Sequence, residues 1–100
     1  MATGFEDWTQ QSFTSSYEEE QQKADVDDEE TELTFTAEVK SWLISNEGAN
    51  TVYYSLSTGV DTDNFPIFKK QAIGADTPTT TIYLICAAGE TATVKAIGLR

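Results

Sequence analysis

From about residue 33 onward, the chain alternates between apolar and polar residues. Residues 33–37, Leu-Thr-Phe-Thr-Ala, alternate strictly, which indicates a strand with one buried face. Comparable runs separated by Gly, Asn, Asp, Pro and Ser follow at residues 42–44, 51–56, 65–68, 79–87 and 90–99. The pattern predicts about six strands without a helix. The fold class is therefore all-β: a small antiparallel β-sandwich, jelly-roll or immunoglobulin-like, or a small barrel.

Residues 39–56 have the clearest local pattern. Two runs rich in β-branched and aromatic residues flank Asn-Glu-Gly-Ala-Asn at residues 46–50. Asn and Gly supply turns, so this stretch predicts a β-hairpin. Ala-Ala-Gly-Glu at residues 87–90 likewise predicts a tight hairpin turn between the last two strands.

The alternation also predicts which side chains form the core. The face of the strand at residues 42–44 is ambiguous, because the run is apolar on both sides and a slip of one residue swaps its faces. The predicted core consists of Phe35, Leu43, Val52, Tyr54, Phe68, Ile82, Leu84, Val94 and Ile97.

Charge divides the chain into two parts. Residues 1–32 contain eleven acidic residues and one lysine, a net charge of −10, whereas residues 33–100 contain six acidic and five basic residues, a net charge of −1. We therefore expect an N-terminal arm and acidic linker at 1–32 and a β-sandwich domain at 33–100. Within the first part, residues 18–32 hold only two apolar side chains and predict a self-repelling, extended linker.

Residues 1–17 carry four aromatic side chains in a polar background: Phe5, Trp8, Phe13 and Tyr17. Disordered tails are ordinarily poor in aromatic residues. These four residues therefore predict an arm that docks on another subunit; the alternative is a sticky terminus without a partner.

Trp42 and Tyr53 complete the predicted protein-interface set. If they share the outer face of the predicted hairpin, they could stack on a sugar or on another protein. The alternative is that they belong to the core or cover an edge against the arm.

The residues that most often perform catalysis are scarce. The chain has no histidine and one cysteine, Cys86, which lies in an apolar run and cannot form an intrachain disulfide. A carboxylate pair could act without histidine, but the acids of residues 33–100 are scattered in turns. We expect no enzyme activity, no catalytic or cofactor-binding residues and no cofactor.

Two acidic stretches contain oxygen atoms that could bind a metal ion. The stretch that begins at Asp25 places Glu30 and Thr36 where a calcium-binding EF-hand loop needs Gly and Glu, so it does not match. Residues 61–64, Asp-Thr-Asp-Asn, offer oxygen ligands but are also typical of Asx-turns. We therefore predict no metal site.

Composition limits the partners and the location. A strongly acidic segment is not attracted to nucleic acid, and it suits a basic protein partner or solubility. The first residues lack a basic and apolar signal sequence, and no run is long enough for a membrane span. We expect cytoplasmic synthesis, no membrane contact, and association with other subunits to supplement a small core.

Residues 33–100 resemble small β-sandwich virion proteins of tailed bacteriophages. The resemblance lies in I-x-N-x-G-x-x-x-V-Y at residues 44–53, F-P-I-F at 65–68 and a final A-x-V-x-x-I-G at 92–98. It implies a structural protein located in the virion, often a trimer with N-terminal arms that reach neighbouring subunits.

These observations lead to one expected function and its alternatives. The expected function is a capsid decoration (cement) protein that packs on other virion proteins through its arm. The alternatives are a tail, baseplate or head–tail connector component and, in another class, a carbohydrate- or host-surface-binding module that uses Trp42 and Tyr53.

Overall fold

The computed structural model describes residues 18–100, which form eight β-strands and no helix. The strands are β1 (Glu19–Val26), β2 (Thr31–Val39), β3 (Ser41–Asn46), β4 (Val52–Ser55), β5 (Phe65–Ile67), β6 (Ala72–Ala75), β7 (Thr79–Cys86) and β8 (Ala92–Leu99). The sequence predicted about six strands and missed β1 and β6.

The strands form two four-stranded antiparallel sheets. Sheet I has the order β1-β8-β3-β6, and sheet II has the order β2-β7-β4-β5. Eight strands that are divided between two sheets in this order form a jelly roll. The prediction of a small antiparallel β-sandwich is confirmed.

The predicted acidic linker at residues 18–32 is wrong, because most of it is strand. All eight residues of β1 pair with β8, from Glu19 opposite Leu99 to Val26 opposite Ala92. Ala24 and Val26 are buried, whereas the charged residues that alternate with them face solvent. Charged side chains are common on edge strands, because they prevent the strand from pairing with other chains. In the described part of the chain, the sandwich begins with β1 and not at residue 33.

The predicted hairpin at residues 39–56 is also wrong. β3 lies in sheet I and β4 in sheet II, so residues 47–51 carry the chain across the sandwich. The fully buried side chain of Asn46 organises this crossing. Its Nδ2 donates to the carbonyls of Asn50 (2.7 Å) and Ile67 (2.9 Å), and its Oδ1 accepts from Gly48 N (2.9 Å).

Residues 87–90 form a turn, closed by Glu90 N donating to Ala87 O (3.0 Å), but not a hairpin. β7 belongs to sheet II and β8 to sheet I. Among the described strands, β4 and β5 are the only consecutive pair in one sheet. Alternation alone cannot distinguish a hairpin from a crossing, because both present one apolar face.

The predicted core is confirmed in part. Phe35, Val52, Ile82, Leu84 and Val94 are buried, and Tyr54 packs against them while partly exposed. The predictions for Leu43, Phe68 and Ile97 are wrong: the first two are 47% and 53% exposed, and Ile97 is half-buried.

These errors have local causes. β3 turns Trp42 and Ile44 inward instead of Leu43, which is the one-residue slip that its uniformly apolar sequence permits. Phe68 lies one residue beyond the end of β5. Ile97 shares the outer face of sheet I with Lys95, because the buried side chains of β8 are on even-numbered residues.

Candidate assembly surfaces

The structure separates the residues that the sequence grouped as an interface. Phe5, Trp8, Phe13 and Tyr17 lie outside the described residues. Trp42 is 5% exposed and faces the interior, where its Nε1 donates to Thr77 O (3.1 Å) and its ring meets Tyr54 edge-on at 5.9 Å. Tyr53 lies in the other sheet, on its outer face. Trp42 and Tyr53 therefore share no surface, which excludes the stacking platform.

Tyr53 occupies the centre of the outer face of sheet II. Its direct neighbours across the sheet are Ile85 in β7 and Pro66 in β5. The next cross-strand set contains Tyr83, opposite Glu32 and Ser55. This face is therefore mostly neutral, with a half-buried aromatic and apolar centre.

The connection between β4 and β5, residues 56–64, covers part of this face. The Oε1 of Glu30 accepts hydrogen bonds from Gly59 N (2.7 Å) and Val60 N (3.1 Å). Glu30 immediately precedes β2, and β2 and β4 lie on opposite sides of β7, so the connection crosses β7. Val60 is 5% exposed but is not part of the main core cluster, consistent with burial beneath this connection.

The side of the sandwich formed by β5 and β6 exposes two aromatic rings. Phe65 is 61% and Phe68 is 53% exposed. The strands are short and lie at the edges of their sheets, and residues 65–68 and 71–73 line a concave region of about 330 Å³ between them. Pro66 gave the sequence signal for this edge, because proline cannot donate to a ladder. We call Phe65, Phe68 and this concave region the phenylalanine edge.

The outer face of sheet I combines apolar side chains with an unusual pair of lysines. Lys23 in β1 lies directly opposite Lys95 in β8. The neighbouring cross-strand row places Ile97 opposite Leu43, which is 47% exposed. No sequence signal indicated this pair, because it exists only through the register of two strands more than seventy residues apart.

Charged side chains close the sandwich where the N-terminal segment enters. The Glu20 carboxylate accepts from Gln22, from the backbone N and Oγ1 of Thr36 (Oγ1 at 2.9 Å) and from Arg100 (2.8 Å), which also pairs with Glu18 at 3.4 Å. Partial burial raises the pKa of Glu20, but the hydrogen bonds from Gln22, Thr36 and Arg100 outweigh it and lower the pKa to about 2. Glu18 and Arg100 also exchange both backbone hydrogen bonds.

The acidic turn between β1 and β2 uses carboxylates as backbone acceptors. Asp27 Oδ1 accepts from Glu29 N (2.9 Å), and Asp28 Oδ2 accepts from Gly89 N (3.0 Å) in the turn between β7 and β8. These carboxylates therefore stabilise two adjacent crossings at one end of the sandwich.

Cys86 and Asp61 have structural roles. Cys86 is 1% exposed, and burial followed by the nearby charge of Glu90 raises the pKa of its thiol. Asp61 Oδ1 accepts from Asp63 N (2.9 Å) in an Asx-turn. Residues 18–100 contain no group of His, Cys, Asp and Glu side chains arranged to hold a metal ion.

Residues 18–100 contain no helix that is long and apolar enough to cross a membrane. Comparison of the sequence with protein-family models and with curated proteins finds no match.

Proposed function

We propose that this protein is a non-enzymatic structural component of a tailed-phage virion, assembled in the host cytoplasm. Its most specific role is capsid decoration: it packs on the major capsid protein and stabilises the shell through subunit contacts and its N-terminal arm. The partners are other virion proteins and further copies of this chain, with a trimer favoured, and the function requires no nucleic acid, membrane or cofactor.

The phenylalanine edge is the observation that carries this proposal. Large exposed apolar side chains grouped at one place mark protein–protein contacts. Phe65 begins β5 and Phe68 directly follows it. The edge strands β5 and β6 have only three and four residues, so they offer little backbone for strand addition. A contact at this edge would therefore be made mainly by side chains, as in a closed oligomer of compact subunits.

The jelly-roll fold supports the same class. Jelly rolls are recurrent in viral capsid domains, although the fold by itself does not specify a function. Residues 1–17, with their four aromatic side chains, join the sandwich at Glu18, at the outer edge of sheet I. An arm at an edge can add buried area between subunits without enlarging the sandwich.

The decisive experiment concerns the location of the protein. The gene should lie among the structural genes of a tailed phage, and the protein should occur in purified particles at a copy number matched to the capsid lattice. A copy number of about six or twelve per particle would instead favour the tail, baseplate or connector. Absence from purified particles would refute the proposal.

The role of the arm needs a separate measurement. Particles that carry the protein without residues 1–17 should lose it, or should break at lower temperature than particles with the full chain. Full occupancy and unchanged particle stability would show that decoration does not depend on the arm.

A further inference from the structure

The two lysines on the outer face of sheet I have no acidic partner within the described residues. The ion pairs in residues 18–100 are both made by Arg100. Like charges directly opposite each other in a sheet are destabilising. The chain has only six basic residues against seventeen acidic ones, yet two of the six face each other here.

Nearby carboxylates bind neutral donors instead of these lysines. Glu19 accepts from the side chain of Gln21 at 2.7 Å, Asp25 accepts from Thr93 Oγ1 at 3.3 Å, and Glu47 accepts from Ser45. The positive charge of the lysine pair is therefore available to an acidic group from outside the sandwich.

Apolar surface lies next to this charge at a defined spacing. Along each strand, the row with Ile97 and Leu43 is two residues from the row with Lys95 and Lys23, a separation of about 7 Å. A ligand that fits both rows carries an apolar group and an acid about 7 Å apart along an extended backbone.

Residues 5–8 of this chain, Phe-Glu-Asp-Trp, have this chemistry. In an extended peptide, residues two apart share a side, so one side offers Phe5 with Asp7 and the other offers Glu6 with Trp8. Either side places one aromatic ring and one carboxylate at the spacing of the two rows.

The exit of the chain favours a neighbouring copy as the receptor. The backbone pair between Glu18 and Arg100 continues the ladder of β1 and β8 to the first described residue. A chain that continued in the direction of β1 would lead away from its own sheet. Nine residues lie between Trp8 and Glu18, enough to span about 30 Å when extended.

We propose that residues 5–8 of one copy bind the outer face of sheet I of a neighbouring copy. One carboxylate lies between Lys23 and Lys95, and one aromatic ring lies on Leu43 and Ile97. This inference rests on the proposed role of the arm in joining subunits, and it names the surface that receives the arm.

The test is charge exchange in the full-length chain, followed by sedimentation equilibrium in 150 mM NaCl. Lys23→Glu with Lys95→Glu should weaken self-association by about tenfold or more, which corresponds to about 1.4 kcal/mol. Glu6→Lys with Asp7→Lys should do the same and changes no residue of β1–β8, so it remains informative if the first variant folds poorly. Lys40→Glu with Lys69→Glu is the matched control and should associate like the unmodified chain.

Mixing the two altered chains distinguishes a neighbouring receptor from the chain's own sheet. The mixture should recover heterologous association, because the lysine-bearing arm of one fits the glutamate-bearing face of the other. Equal association of the Lys23→Glu/Lys95→Glu chain and the control would overturn the inference. So would a strictly monomeric unmodified chain, or a mixture that stays dissociated.

These outcomes are independent of the location test. A protein that is absent from virions but self-associates through the lysine pair refutes the proposed function and leaves this contact intact. A protein that is present in virions, but whose self-association is unchanged by substitution of the lysine pair, supports the proposed function and refutes this contact.

Discussion

Asn46 shows how one side chain fixes a crossing between the sheets. It is fully buried, and both of its amide hydrogens and its oxygen are used, joining the turn after β3 to the end of β5. Buried polar groups with every partner satisfied specify a single arrangement, and they are costly to disturb.

We therefore expect Asn46→Asp to destabilise the protein by about 2–4 kcal/mol, because it removes two donors and buries a charge. Asn64→Asp is the matched control, since the Asn64 side chain only accepts, from Asp61 N at 2.8 Å, as a carboxylate also can. Urea denaturation followed by tryptophan fluorescence measures both variants. Similar midpoints for the two would contradict the role assigned to Asn46.

Glu20 makes stability depend on pH in a defined window. Its pKa is lowered to about 2 in the folded protein, below the value of 4.5 for a free side chain. A lowered folded-state pKa stabilises the fold above the unfolded pKa, and this stabilisation is lost as pH falls from about 4.5 to 2.

Carbon-13 NMR of the Glu20 carboxyl group should show its midpoint near pH 2. Arg100→Met should move that midpoint upward, because one donor and a positive charge are lost. Lys69→Met, at the opposite end of the sandwich, should leave it unchanged. An unchanged midpoint in Arg100→Met would show that the guanidinium does not contribute.

At the scale of strands, β1 is the element that the sequence predicted least well. Ala24 and Val26 are its only buried apolar residues, yet its backbone pairs with β8 along the full length. It shields one side of β8 and brings Glu20 to Thr36 in the other sheet.

Removal of residues 1–26 should therefore unfold the protein, since the loss of an edge strand and its burial is comparable to the total stability of about 5–15 kcal/mol. Removal of residues 1–17 alone should leave a cooperative thermal transition, measured by circular dichroism. If the chain without residues 1–26 melted like the chain without residues 1–17, residues 18–26 would be a dispensable linker.

The phenylalanine edge belongs to the same scale. If the proposed oligomer forms through this edge, Phe65→Ser with Phe68→Ser should reduce it to smaller species. The melting temperature of a single chain should change little, because both rings are more than half exposed. The control is Phe65→Tyr with Phe68→Tyr, which keeps the rings. Light scattering measures the mass, and an unchanged mass in the serine variant would place the contact elsewhere.

The sequence predicted strands well where one face is clearly apolar and poorly where partners decide. β7 follows from its β-branched residues, β8 follows from its alternation, and Pro66 indicated an edge. β1 was missed because only two of its side chains are apolar, and its remaining stabilisation comes from backbone pairing with a distant strand. Neither the lysine pair nor the two false hairpins could be read locally, because register and sheet assignment depend on long-range pairing.

At the scale of the whole molecule, net charge opposes compactness. The chain carries −11 at neutral pH, and self-repulsion of that size lowers the stability of a small fold. Salt shortens the screening length from about 30 Å at 10 mM to about 8 Å at 150 mM.

We expect the melting temperature to rise by several degrees over this range of NaCl, equivalent to about 1 kcal/mol. Glu29→Gln with Glu38→Gln, which reduces the net charge to −9, should show a smaller rise. Lys40→Gln with Lys69→Gln, which increases it to −13, should show a larger one. Equal slopes for the three proteins in calorimetry would show that self-repulsion is not the cause.

The pairing of β1 with β8 also determines when sheet I can form during synthesis. Glu19 pairs with Leu99, so sheet I cannot be completed until β8 has left the ribosome. At about 5–20 residues per second, the N-terminal segment spends several seconds in an unfinished domain. We therefore expect β1 to join the sheet late, after β8 has been synthesised.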